Sequence, residues 1–166
     1  ERFLPQEVKS KALGSKVTWI LPPHRKYQNL GNTALTDGLY GGSTYVESWV
    51  GWEGADAAFI LDMGDEKDFT KIESDFLHQL GAWVLLPKGG KYSVSNNGED
   101  WEEFGEFVIP EDRDVSVKFT KGTVEKTEAV KARYIKVEIS GTIECPYWHY
   151  GIGFPSWFFI DEVAVY

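Results

Sequence analysis

Three carboxylates and one run of rings are the residues best placed to do chemistry in this sequence. Asp37 stands in a Thr36-Asp37-Gly38 turn, and Asp161 and Glu162 lie inside the closing segment FFIDEVAVY. A strand that closes a domain lies beside its first strands, so Asp37 and the Asp161-Glu162 pair are expected where the two chain ends meet. Just upstream, PYWHYGIGFPSW from Pro146 to Trp157 gathers Tyr147, Trp148, His149 and Tyr150 on a glycine-bounded loop. Rings crowded on such a loop either form a contact surface or zip loops together.

The elements that must position these groups read as strands. Lys16–Leu21, Ala57–Asp62, Lys71–Leu77, Trp83–Leu86, Tyr92–Ser95, Val115–Phe119, Arg133–Ser140 and Phe158–Val165 are rich in β-branched and aromatic residues or alternate with period two. Turn signals separate them: Pro22-Pro23, Asp37-Gly38, Gly41-Gly42, Gly89-Gly90 and Asn96-Asn97-Gly98. Asn97-Gly98 is a hairpin cue, since both residues tolerate positive φ. Val124–Lys131, short and charged, is the one helix candidate and is set aside. In Arg133–Ile139, Ile135, Val137 and Ile139 take one face, and a one-residue slip would bury Lys136 and Glu138. The fold class is therefore all-β: an antiparallel β-sandwich, a jelly roll of about eight strands. Residues 1–11 read as a connector from an upstream domain and 12–166 as the sandwich. The start at Glu1 rather than Met suggests a piece of a longer protein.

Composition bounds the partners. A chain of 166 residues is one domain by size, and its hydrophobic share of 42% is that of a globular protein. Aromatics reach 15%, more than one core needs, which leaves rings for a surface. The net charge of -9 opposes nucleic acid and anionic membrane as partners. No apolar run approaches the ~18 residues needed to span a bilayer. With Cys145 alone, no internal disulfide forms.

The order of motifs resembles the coagulation factor V/VIII type C, or discoidin, domain, also known as the family 32 carbohydrate-binding module. The carriers are ALTDG at Ala34–Gly38, W-x-G-W at Trp49–Trp52, FILDMG at Phe59–Gly64, YSVSNNGEDW at Tyr92–Trp101, ARYIKV at Ala132–Val137 and FFIDEVAV at the end. GAWVLLP at Gly81–Pro87 and the C-P-x-W-H loop at Cys145–His149 resemble more closely the discoidin-like domain of bacterial β-N-acetylhexosaminidases (chitobiases) of glycoside hydrolase family 20. The resemblance spans the chain from about Ala12 onward. It implies a galactose-binding-domain-like fold and a non-catalytic accessory module of a secreted, periplasmic or cell-surface bacterial enzyme.

The resemblance also implies one structural calcium ion (Ca2+) near the junction of the chain ends. Its ligands would be the carboxylates of Asp37 and Glu162, the carbonyls of Ala34 and Leu39, and the hydroxyl of Ser43, since calcium takes oxygen donors of mixed kinds. The usual hydroxyl position, five after the aspartate, holds Gly42 here, so Ser43 serves only if the turn carries one extra residue. The plainer reading makes Asp37-Gly38 a turn and Glu162 a surface charge.

Sugar recognition needs flat rings under the C–H face of a pyranose and a few donors and acceptors for its hydroxyls. Tyr40, Tyr45, Trp49, Trp52, Trp83, Tyr147, Trp148, His149, Tyr150 and Trp157 are the candidates. Tyr147, Trp148, His149 and Tyr150 lead, with Trp52 and Trp83 beside them; Trp49 and Trp157 adjoin strands and read as packing. A glycan with N-acetylhexosamine or galactose would be the ligand. The alternative partner is the catalytic domain of the same parent chain, on which the sandwich would dock without binding sugar. Adhesion to lipid is disfavoured by the acid excess. Catalysis by the chain itself is not expected. The acidic cluster Glu99, Asp100, Glu102, Glu103 and Glu106 follows a hairpin turn, where charges form a solvated face rather than the paired carboxylates of a glycosidase. His24, His78 and His149 lack metal-ligand spacing, and no nucleophile elbow, H-E-x-x-H, C-x-x-C or phosphate loop occurs.

Overall fold

The computed structural model describes residues 7–28, 33–46 and 48–166. Seven strands are present among them: β1 (Lys16–Leu21), β2 (Val50–Glu53), β3 (Ala57–His78), β4 (Gly89–Ser95), β5 (Glu102–Val108), β6 (Lys118–Ser140) and β7 (Trp157–Val165). Single turns of 3-10 helix stand at Arg25–Tyr27, Ala34–Thr36 and Leu80–Ala82. Every strand pairing is antiparallel, in the order β2-β7-β3-β6-β4-β5, with β1 added to β3. None of the described helices is long and apolar enough to cross a membrane.

The two long strands turn this sheet into two facing layers. The first half of β3 pairs with β1 and with the second half of β6, as in Phe59 with Trp19 and Val137. Its second half pairs with β7 and with the first half of β6, as in Ile72 with Val165 and Val124. Register shifts between Asp62 and Lys67, and between Phe69 and Lys71, mark where the ribbon passes from one layer to the other. Bulges of this kind add local bend and twist. Side chains from the two halves then meet. Trp52 of β2 stacks on Phe59 of β3 at 6.2 Å, and Phe76 of β3 lies 6.1 Å from Phe107 of β5. One core fills the space, with Phe59, Leu61, Ile72, Phe76, Tyr92, Ile135 and Ile160 fully enclosed.

The strand expectations are met in kind and corrected in detail. Ala57–Asp62 and Lys71–Leu77 are halves of one strand, because the polar Gly64–Lys67 stretch is an outward bulge rather than a turn. Trp83–Leu86 is not a strand; only Val84 makes bridges there, and Trp83 takes left-handed backbone with φ 64°. Val115–Phe119 joins β6 only from Lys118. Val124–Lys131 is strand within β6, and the short edge strands β2 and β5 were not read as strands. Among the described residues the sandwich thus has seven strands, against the about eight expected. Of the expected connector, residues 7–11 lie against the domain: Val8 donates to Gly38 O at 2.6 Å, Lys11 donates to Val165 O at 2.8 Å, and Ser10 Oγ accepts from Val165 N at 2.9 Å.

Candidate functional site: an acidic corner and a ring-rich end

Two places answer to the residues singled out by sequence. The first is the corner where Asp37 meets β7. The Ala34–Thr36 turn packs against β7 and delivers Asp37, Gly38 and Leu39 to it. Gly38 has φ 81°, a left-handed backbone that calls for glycine. Its N–H donates to Glu162 Oε2 at 2.9 Å, and Leu39 N–H donates to Asp37 Oδ1 at 3.0 Å. Asp161, which the sequence reading paired with Glu162 without giving it a role, is fully buried and accepts from Gly41 N–H.

The electrostatics of this corner are unfavourable for an unaided carboxylate. Burial, and then the neighbouring Asp37 carboxylate, push Glu162 up to about 9. Asp37 is also raised, chiefly by burial, against the lowering effect of the Leu39 N–H. Glu162 Oε1 is buried without a hydrogen-bond partner. An orphaned acceptor beside a second carboxylate is the arrangement that an oxygen-seeking cation relieves. Ala34 lies on the turn against β7, and Ser43 is half-buried beyond Gly42, whose carbonyl is taken by Trp49 Nε1 at 2.9 Å.

The second place is the end of the sandwich around the Leu80–Ala82 turn. The β6–β7 loop folds over it and is pinned by His149. Gly151 N–H donates to His149 Nδ1 at 2.9 Å, so the ring proton sits on Nε2 and is donated to Leu80 O at 2.9 Å. Tyr150 Oη–H donates to Gly81 O at 2.7 Å. Gly151 admits this closure, since a Cβ there would meet His149 Nδ1 and Trp83 Cε2 at 3.1 Å. Beneath the loop the Trp83 ring, half-buried, touches His149, Tyr150 and Phe154 at centroid distances of 6.2, 5.8 and 5.8 Å. Above it Tyr147 is 75% exposed, Tyr150 69% and Phe154 61%.

Arg113 borders these rings. Its guanidinium lies over Tyr147 at 5.4 Å and Trp148 at 5.3 Å, donates from Nη2 to Tyr147 Oη at 3.1 Å, and pairs through Nε with Glu111 at 2.8 Å. The Trp148 indole N–H is shut off from solvent without a hydrogen bond of ordinary geometry and faces Glu111. That indole, and then Arg113, hold the Glu111 carboxyl below the usual range. Leu80, Gly81, Arg113, Val115, Trp148 and Tyr150 line a depression of about 220 Å³ here. On the other side of the turn a smaller cleft, about 100 Å³, is lined by Tyr27, Tyr45, Ala82, Val84, Trp157 and Phe159. Its rings are locked edge to face, Tyr27 against Trp157 at 5.1 Å and against Tyr45 at 5.7 Å.

Two ring candidates leave the contact set. Trp52 is 1% exposed between the layers, stacked at 5.3 Å on Phe158, with Nε1–H donated to Leu21 O. Its place on β2 faces the core, so it cannot offer a face to a ligand. His149 is 5% exposed and both ring nitrogens are spent on backbone, so it holds the loop rather than a hydroxyl. Tyr147, Trp148, Tyr150 and Trp83 come together at one end. Trp49, 2% exposed, packs as expected. Tyr40 lies away from the loop, accepting from Lys121 Nζ at 2.7 Å. Tyr27 was missed, because nothing in its sequence neighbourhood signals that it meets Tyr45 and Trp157.

Comparison with known proteins bears on the whole fold. No curated protein matches the chain. Among solved structures, a fucolectin from striped bass (Morone saxatilis) serum is 19% identical, with TM-score 0.62 over 96% of this chain and 49% of that one. The CBM32-5 module of a GH89 protein from Clostridium perfringens, solved with GalNAc-β-1,3-galactose, is 18% identical, with TM-score 0.55 over 92% of this chain and 94% of that one. A GH29 fucosidase of Ruminococcus gnavus, in complex with fucose, is 15% identical, with TM-score 0.61 over 95% of this chain. This chain spans only 26% of that enzyme. These likenesses show the fold alone, an antiparallel β-sandwich of the discoidin kind. The F5/8 type C domain model matches residues 22–158, and the chain belongs to that family.

Proposed function

We propose that this domain is a non-catalytic carbohydrate-binding module of a bacterial glycoside hydrolase, and that the end around the Leu80–Ala82 turn meets the glycan. The observation that carries this reading is the gathering there of solvent-facing rings, Tyr147 and Tyr150 above all, beside the donor-rich Arg113 and half-buried Trp83 and Trp148. A pyranose stacks its C–H face on such rings, and a guanidinium orients its hydroxyls. The sugars named with the solved relatives, GalNAc-β-1,3-galactose and fucose, support a glycan ligand. N-acetylhexosamine or galactose is the class we assign. GAWVLLP and the C-P-x-W-H loop support a secreted, periplasmic or cell-surface β-N-acetylhexosaminidase (chitobiase) as the parent. Calorimetric titration with chitobiose, galactose and N-acetyllactosamine should give weak saturable binding, lowered between about two- and tenfold in Tyr150→Ala and further in Trp148→Ala. Flat traces across a glycan array would reject the reading.

The exposed apolar side chains Val115, Ile152 and Phe154 beside the same rings favour a second reading, docking on the parent's catalytic domain without sugar. Removing the module from the parent would then cost stability and leave affinity for polymeric substrate intact.

At the acidic corner we propose the structural calcium ion, held by Asp37, Glu162, the Ala34 and Leu39 carbonyls and Ser43. The partnerless Glu162 Oε1 and the raised pKa of Glu162 support it. Added calcium should raise the melting temperature of metal-stripped protein, and Glu162→Gln should abolish the rise. An unchanged melting temperature with chelator would dismiss the ion.

A further inference from the structure

We propose that the ring-rich end is a two-part surface, and that it takes a neutral glycan of two or more residues laid across the Leu80–Ala82 turn. The inference rests on the sugar-binding reading above and adds the length of the ligand and its path. The two depressions share one wall, the Leu80–Ala82 turn: Gly81 lines the larger and Ala82, the next residue, lines the smaller. Each alone, at about 220 and 100 Å³, is smaller than the ~300–1,000 Å³ of a pocket that encloses a small ligand.

The wall is low because of Gly81. This glycine does not have a left-handed φ, and a Cβ placed on it would meet nothing within 4 Å. Neither backbone conformation nor packing therefore calls for glycine here. The space above it is open, and a side chain would stand in that space between the two depressions. The wall is also rigid. Trp83 N–H closes the turn on Leu80 O at 3.0 Å, and Ala82 N–H on Gln79 O at 3.0 Å. His149 and Tyr150 occupy the carbonyls of Leu80 and Gly81 from the loop side. A ligand crossing here meets a surface already ordered, so little entropy is lost in shaping it.

The two sides offer complementary contacts. The Tyr27–Tyr45–Trp157 cleft supplies a fixed aromatic floor. The larger depression supplies the exposed Tyr150 ring and the Arg113 guanidinium, which has five N–H groups and spends Nε on Glu111 and Nη2 on Tyr147. Since Glu111 neutralises Arg113, the arginine offers donors rather than net charge, which suits a neutral sugar. One pyranose on each side, with the glycosidic linkage over Gly81, uses both sets at once. Two linked weak contacts then add as an intramolecular pair.

The test is a chain-length series on the intact domain: chitin oligomers of one to four residues, and galactose, N-acetyllactosamine and its tetrasaccharide, after a glycan array to choose between them. The tetrasaccharide should bind at least about tenfold more tightly than the monosaccharide. In Gly81→Leu that ratio should fall toward one, with the melting temperature recorded to show that the variant is folded. Val115→Arg, at a residue 81% exposed, gives an independent obstruction of the larger depression and should cut the ratio as well. Equal affinity for mono- and tetrasaccharide would overturn the two-part surface and leave sugar binding standing. A length gain untouched by either substitution would place the second contact elsewhere and overturn the crossing. Silence of the whole array would overturn both this inference and the sugar-binding reading.

Discussion

Tyr92 lies on β4 with its hydroxyl inside the core, accepting from Ser74 Oγ–H at 2.7 Å and donating to Gly122 O at 2.7 Å. Burial drives its pKa far above the ordinary tyrosine value. One oxygen thus satisfies a group on β3 and a carbonyl on β6. Tyr92→Phe should cost about 1–3 kcal/mol in urea unfolding, because it strands both partners without opening a cavity. A cost near zero would mean that a water takes the place of the hydroxyl. At this scale the sequence was legible where a carboxylate stands in a turn: the Asp37-Gly38 turn does meet Glu162. It was not legible where the strand face decides the role. Trp52 carries the same ring as Trp83, yet one stacks between layers and the other under an exposed loop. His149 could be identified as buried only once Leu80 O and Gly151 N–H were seen on its two nitrogens.

At the scale of the element, the β3–β6 ribbon was read in fragments because its bulge is polar. Met63-Gly64-Asp65 has the residues of a turn, whereas the chain runs on through it from one layer to the other. Arg133 ties the ribbon just before the bulge, donating from Nε and Nη2 to Asp62 at 2.8 and 3.0 Å. Asp62 is held below its ordinary 3.8, first by the Arg133 hydrogen bonds and against some burial. A carboxyl lowered on folding contributes stability above its unfolded value and loses it as pH falls through the folded one. The melting temperature should therefore drop on acidification below about pH 4. Asp62→Asn should flatten part of that fall; since both partners are partly exposed, the change is small and shrinks in high salt. A profile identical to the parent would show that the pair carries no pH dependence. The short edges β2 and β5 escaped the sequence reading for a different reason. Val50–Glu53 is brief, and Glu102–Val108 breaks the period-two pattern, with Glu102-Glu103 adjacent at its start, Phe107-Val108 at its end and Gly105 between; its acidic residues keep an edge from pairing with a neighbour.

For the whole molecule, the meeting of the chain ends was legible and the assembly of the ring-rich end was not. Tyr27, Tyr45, Trp83 and the Tyr150–Trp157 stretch come from four separated parts of the chain, and only the fold puts them on one surface. The ends meet as a clasp. Val8, 3% exposed, is buried beside it, and the bonds from Val8 to Gly38, Lys11 to Val165 and Val165 to Ser10 tie residues 8–11 to the Asp37 corner and to β7. Deleting residues 1–11 should lower the melting temperature by on the order of 10 °C, from lost hydrogen bonds and an unfilled Val8 site. A shift within about 2 °C would show that the clasp contributes little. The same clasp has a bearing on protein engineering. Because Lys11 and Val165 are already hydrogen-bonded neighbours, a short linker can join Tyr166 back to the segment 7–11. New ends can then be cut at the exposed Asn97-Gly98 turn, which Ser95 and Asn97 hold by their own local bonds. Such a circular permutant would present the ring-rich end unchanged on a chain that starts and stops at a hairpin.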